Sequence, residues 1–266
     1  LNGGVRGGVV TELYGEAGAA KSQFCLQLII NSLMKKKLNS NDSTVSSSET
    51  ENKKHSVYFI NTEGNFPLQR LIEMLSQQGV KTKQEQADLL QHLFLEKISS
   101  PRELWDILAN KVPVAASQWP MRLIIIDSIA SLFRVLSTDD NDTDGLFGFA
   151  PLSVSDRAIQ LFRVATVLKR VATEYDCALV CTNQITSSGF STGNSNEVKP
   201  ALGLAWQHCA TTRISLWRKD RNFSEVTKSK IMFQEWQRTN SKNNCLFVAN
   251  NVIYSKSVDD GRKNQY

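Results

Sequence analysis

The sequence predicts an α/β domain in which a mostly parallel sheet is flanked by helices. Three observations carry this reading. Aliphatic and β-branched runs alternate with helical patterns through the first two thirds of the chain. A glycine-rich turn joins the first of those runs to the first helical pattern. Leu123-Ile124-Ile125-Ile126, the most apolar run present, reads as a central strand buried on both faces, as parallel strands are.

Taken in order, Val9 to Leu13 is a short strand followed by the glycine turn. The helix after it sets Phe24, Leu28 and Ile29, with Cys25 between them, on one face. Residues 39–55 are Ser, Asn, Thr and Glu with almost no apolar side chain. Such a segment cannot repay its ordering entropy, which predicts a mobile low-complexity insertion. Val57-Tyr58-Phe59-Ile60 reads as a buried strand and a helix follows from about Pro67, where a missing N–H costs nothing. Phe94 and Leu95 suggest another strand, and Pro101 to Lys111 another helix. A long helix is expected from about Ser155 to Tyr175, with Ile159, Phe162, Leu168 and Val171 inward, followed by the strand Ala178-Leu179-Val180-Cys181. Beyond it, Arg213–Trp217, Lys230–Glu235, Leu246–Ala249 and Val252–Tyr254 look like short strands in a meander extending one sheet edge.

At 266 residues the chain is long enough to bury a full core, and 41% hydrophobic with 21% charged residues is the balance of a folded domain. The net charge of +5 permits a nucleic-acid partner without requiring one. Cys25, Cys177, Cys181, Cys209 and Cys245 are odd in number and scattered, with neither zinc-ligand nor secreted-framework spacing, which points to a reduced, intracellular protein. No apolar run is long enough to cross a bilayer, so no membrane partner is expected. The opening Leu1-Asn2-Gly3-Gly4 reads as the middle of a lead-in to a strand, and an N-terminal region of a longer protein is expected before it.

The residues that carry chemistry begin with Gly15-Glu16-Ala17-Gly18-Ala19-Ala20-Lys21-Ser22, followed by Gln23. This run nearly fits the phosphate-binding loop, in which successive backbone N–H groups and a helix N-terminus face phosphate oxygens. Lys21 then reaches the β- and γ-phosphates of ATP, and the Ser22 hydroxyl serves Mg²⁺. Ala20 stands where glycine is expected before the lysine; a methyl group at a positive-φ position costs roughly 1 kcal/mol or more. The plainer alternative is a glycine-rich turn with an incidental lysine. Asp127 ends the apolar strand where a carboxylate can hold Mg²⁺, or simply cap the next helix. Glu63, in Asn61-Thr62-Glu63-Gly64, either deprotonates an attacking water, a contribution of about 10²–10⁴-fold, or belongs to a turn around Gly64.

The ordered set resembles the eukaryotic branch of the RecA-type recombinases along nearly the whole chain. The matching pieces are Gly15–Ser22, Thr62-Glu63-Gly64 with Arg70, Asp127-Ser128, Thr182-Asn183-Gln184, and Pro200-Ala201-Leu202-Gly203 with Trp206. Within that branch it is most similar to the paralogues that assist the main recombinase, on Lys111-Val112-Pro113-Val114, Arg122–Asp127 and Ile129–Arg134. The resemblance implies a RecA-like P-loop ATPase core over residues 1–266 that takes ATP and Mg²⁺. It implies catalytic roles for Glu63, Lys21 and Gln184, the last sensing the γ-phosphate. Arg70 would lie against the adenine, and the nucleotide would sit at a boundary with another subunit. It further implies a nuclear protein that pairs with another RecA-type paralogue, acts on the main recombinase filament, and meets single-stranded DNA through the complex.

Departures from the family pattern bear on DNA. Residues 137–156 carry Asp139, Asp140, Asp142, Asp144 and Asp156 and no Lys or Arg, so phosphates are repelled there unless the loop is merely solvated. Residues 186–199 are Ser-, Gly- and Asn-rich with Phe190 as the sole aromatic. Arg218, Lys219, Arg221, Lys228 and Lys230 form either a solvated face or a DNA or partner patch. Trp236 to Asn244 contains no proline, whereas the recombinases use a proline-bearing stretch near here to cap the neighbour's nucleotide.

Overall fold

The computed structural model describes residues 5–34, 54–134, 154–186, 199–218, 231–237, 247–249 and 252–254. Strand β1 (Val10–Gly15) leads into helix α1 (Lys21–Leu33), and β2 (Ser56–Asn61) into α2 (Leu68–Gln77) and α3 (Lys83–Leu90). Then come β3 (Leu93–Lys97), α4 (Pro101–Asp106), a π-helical stretch (Ile107–Lys111), α5 (Val112–Gln118) and β4 (Met121–Asp127). Helices α6 (Ile129–Arg134) and α7 (Val154–Glu174) precede β5 (Ala178–Asn183), the two-residue strands β6 (Ile185–Thr186) and β7 (Lys199–Pro200), and α8 (Gly203–Gln207). Strands β8 (Thr212–Arg218), β9 (Ile231–Gln237), β10 (Phe247–Ala249) and β11 (Val252–Tyr254) follow.

The main sheet has the order β3-β2-β4-β5-β1-β8-β9; its first six strands are parallel and β9 runs antiparallel at the edge. Alternation along the strands divides the core in two. Val10, Tyr58, Ile60, Ile124, Ile126, Leu179 and Cys181 meet α4, α5, α6 and α7 on one face. Leu13, Val57, Phe59, Leu123, Ile125, Val180 and Ile214 meet α1 and α2 on the other. The expected α/β architecture is therefore the observed one.

Several local expectations are corrected. The C-terminal strands extend one sheet edge as expected through β8, parallel to β1, and β9, antiparallel to β8, but among the described residues β10 pairs with β11 in a separate two-stranded sheet. The helix expected to stop at Lys111 continues to Gln118. Pro113 cannot donate to the preceding turn, and the ladder widens to the π form before it. Ile159 and Phe162 are exposed, at 49% and 47%. Leu168 and Val171 are buried as expected, and with Leu161, Val164, Ala165, Val167 and Ala172 they make the buried stripe of α7. Helix α3 was not anticipated, although Thr82 and Glu85 form a capping box at its start. Cys25, Cys177, Cys181 and Cys209 are free and buried, as space-filling residues are. Among the described residues no helix is long and apolar enough to cross a membrane.

Residues 39–53, Cys245, the side chains of the basic set Arg218 to Lys230 and the stretch 238–244 lie outside the described residues. So do nearly all of the acidic loop (residues 137–153) and of the second loop (residues 187–198).

Candidate nucleotide site

Parallel strands all present their C-terminal ends to the same edge of the sheet, and the chemistry collects there. Strand β1 ends at Gly15, β2 just before Glu63, β4 at Asp127 and β5 just before Gln184. Because β5 lies between β1 and β4, the phosphate-loop strand and the Asp127 strand are not neighbours. The gap is bridged by side chains.

Ser22 Oγ donates to Asp127 Oδ2 at 2.8 Å, and the Thr182 hydroxyl on β5 donates to Asp127 Oδ1. The carboxylate thus carries a hydroxyl on each oxygen, a donor set suited to a hard cation that the Ser22 oxygen can share. Lys21 Nζ donates to the carbonyls of Gly15 and Glu16, both at 2.8 Å. Burial lowers the Lys21 pKa from the ordinary lysine value, and the negative charges of Asp127 and Glu63 push it back up.

Glu16, Ala17 and Gly18 are exposed on the loop, while Ala19 is buried and its N–H donates to Glu16 O at 3.1 Å. Helix α1 opens with no side-chain cap and no acidic residue in its first turn. Its N–H groups and the positive end of its dipole are therefore left for an anion. Ala20 sits at its N-cap with φ 66° and ψ 24°, the left-handed conformation expected of the glycine it replaces. Ala20→Gly should therefore raise stability by roughly 1 kcal/mol, a Tm gain of about 2–4 °C in a thermal melt, without loss of nucleotide affinity.

Glu63 and Gln184 are brought together: Gln184 Nε2 donates to both carboxylate oxygens at 2.9 and 3.0 Å. Ser128 Oγ reaches Glu63 Oε1 at 3.4 Å. The ends of β2 and β4 are also latched to each other. Ser128 N donates to Thr62 Oγ1 at 2.6 Å, Thr62 Oγ1 to Ser128 O at 2.8 Å, and Ser131 Oγ to Thr62 Oγ1. This hydroxyl cluster and Thr182 were not singled out as site residues in the sequence. They stand within the matched stretches Thr62-Glu63-Gly64, Asp127-Ser128, Ile129–Arg134 and Thr182-Asn183-Gln184, and that was their signal.

Arg70 on α2 donates from Nε to Gln23 Oε1 at 3.1 Å and from Nη1 to Glu73 at 3.0 Å. Gln23 lies in the first turn of α1, so the guanidinium stands beside the phosphate loop on the exposed side. Among the described residues no group of three or more His, Cys, Asp or Glu could by itself hold a metal ion. A cation at Ser22 and Asp127 would draw its remaining ligands from phosphate and water, the usual habit of Mg²⁺.

The sequence profile of the Rad51 family matches residues 1–233. The chain is 30% identical over 246 residues to the DNA repair protein XRCC3 homolog of Arabidopsis thaliana, covering 83% of this chain and 74% of that protein. It is 26% identical over 232 residues to DNA repair protein XRCC3 of Mus musculus, covering 82% of this chain and 60% of that protein. To the DNA repair and recombination protein RadB of Methanococcoides burtonii it is 30% identical over 216 residues, covering 81% of this chain and 77% of that protein.

Proposed function

The chain belongs to the Rad51 family, and from that premise we propose that it is an ATP-binding paralogue serving homologous-recombination DNA repair. It binds ATP with Mg²⁺ and hydrolyses it slowly or only beside a partner. It pairs with another RecA-type paralogue to promote or stabilise recombinase assembly on single-stranded DNA, in the nucleus. The observation that carries the reading is the convergence of Lys21, Ser22, Asp127, Glu63 and Gln184, from four strand ends, on one edge of the sheet. Similarity to XRCC3 proteins supports the repair role.

The residues divide the work. Lys21 and the uncapped α1 N-terminus bind the phosphates, Ser22 and Asp127 hold the cation, and Glu63 takes the proton of the attacking water. Gln184 engages both Glu63 oxygens, each of which keeps a further lone pair to take a proton. Arg70 packs on the base.

The strained Ala20 favours one second reading, a paralogue that acts as a scaffold without nucleotide. An equilibrium titration with a fluorescent ATP analogue and Mg²⁺ separates the two. Saturable binding is expected for the chain alone or with a purified RecA-type paralogue. Absence of binding in both settings would leave the scaffold. A chain that forms salt-sensitive filaments on DNA by itself would instead be a recombinase in its own right.

A further inference from the structure

A buried charge lies one layer below the nucleotide edge and takes no part in the roles assigned above. Glu12, on β1, is wholly buried and Arg213, its register partner on β8, is 8% exposed. Arg213 Nε donates to Glu12 Oε2, and the guanidinium carbon stands 4.9 Å from the centre of the Tyr14 ring. The other carboxylate oxygen accepts from Asn183 Nδ2 at 2.6 Å. That same amide nitrogen also donates to the Ala201 carbonyl at 2.8 Å. Two acceptors facing it fix the orientation of the Asn183 amide, because the flipped form would set oxygen against oxygen.

Ala201 is held a second time. Its N–H donates to Gln184 O at 2.7 Å, just inside the antiparallel β6–β7 stem. Gln184 in turn grips Glu63. Hydrogen bonds, joined through the covalent frames of Ala201 and Gln184, thus link Arg213, Glu12, Asn183, Ala201, Gln184 and Glu63. Stability alone does not account for it, since well-packed apolar residues in place of a buried ion pair commonly serve a fold as well or better. Burial raises the Glu12 pKa, and Arg213 and Asn183 oppose that rise, so the carboxylate depends on these partners for its charge.

We propose that Glu12, Asn183 and Arg213 are positioning residues of the nucleotide site: the Glu12 carboxylate fixes the Asn183 amide, which seats Ala201 on Gln184 and so sets Gln184 against Glu63. The proposal rests on the nucleotide-binding reading for its purpose, but its geometry is testable without nucleotide. Glu12→Gln keeps the shape and, in either amide orientation, sets a donor against Asn183 Nδ2 or Arg213 Nε. The Glu12→Leu/Arg213→Met double variant removes both charges and leaves neither buried alone.

Amide hydrogen exchange of the nucleotide-free proteins is the measurement. Exchange at Ala201 should rise about tenfold in the double variant, the loss of roughly one hydrogen bond, and by no more than that in Glu12→Gln, while Ile124 and Ile125 in β4 keep their wild-type rates. With the ATP analogue and Mg²⁺ added, the change that nucleotide produces at Ala201 in the wild type should be lost. Unchanged Ala201 exchange, or a rise matched in β4, would overturn the proposal, as would failure of both variants to fold, which would make the trio structural. If the wild type binds no nucleotide, the functional reading falls and the nucleotide-free comparison still decides the geometry.

Discussion

Lys21→Ala should raise the dissociation constant for an ATP analogue with Mg²⁺ by about 10- to 150-fold, the worth of one hydrogen bond to a charged group. The ammonium spans Gly15 O and Glu16 O, so it is already drawn into the loop it would serve. Burial has weakened its hold on its proton, and the Asp127 and Glu63 carboxylates supply the compensation. A phosphate arriving there adds negative charge at short range and favours the charged ammonium. Alanine supplies none of this, while the cost to the fold is limited to two loop hydrogen bonds, each worth about 1 kcal/mol. The melting temperature should therefore fall by roughly 4–8 °C. Wild-type affinity in a folded Lys21→Ala protein would remove the nucleotide reading.

A larger structural effect is expected from Gly15→Ala. A Cβ at Gly15 would stand 2.1 Å from the backbone oxygen of Leu216 and 3.4 Å from the Ala19 Cβ. The obstacle is main chain, held by the parallel pairing of β8 with β1 and by β9 beyond it. No rotamer change relieves such a contact, and β8 would have to separate from β1 at the point where the phosphate loop begins. Overpacking of this kind costs about 3 kcal/mol or more, a fall in Tm of roughly 6–12 °C. Gly64→Ala is the natural control. No atom lies within 4 Å of a Cβ built there, and only its φ of +63° opposes alanine. A loss of about 1 kcal/mol is expected for it. Equal melting curves for the two variants would show that β8 can yield.

Much of this molecule is legible in the sequence where local pattern and tertiary demand agree. Strands β1, β2, β4 and β5 are apolar runs closed by polar residues, and the residues just past them are the ones that meet at the edge. Ala20 was readable as a strained position because the loop's geometry dictates one conformation there. Legibility fails where partners are distant. Nothing near Arg213 says that β8 inserts beside β1, since its register is set by Thr11 to Gly15, some two hundred residues earlier. Glu12 read as an ordinary strand residue because a buried carboxylate is intelligible only with Arg213 and Asn183 in view. The face of α7 was placed correctly at Leu168 and Val171 and misassigned at Ile159 and Phe162, which repeat at helical spacing as well as Leu161 and Val164 do. The packing of α7 against β1, β5 and α8 selects between them.

The place of β1 between β5 and β8 has a consequence for biosynthesis. During synthesis β1 acquires one neighbour only when Asn183 has emerged and the other only after Thr212. A growing chain that has reached the interval between them already holds Lys21, Glu63, Asp127 and Gln184. Its sheet nevertheless has an open side along the strand that bears the phosphate loop. Unsealed strand edges recruit foreign strands. In this protein the vulnerable stage of synthesis therefore comes late, when the nucleotide-binding side chains have been made and the strand that closes the sheet has not.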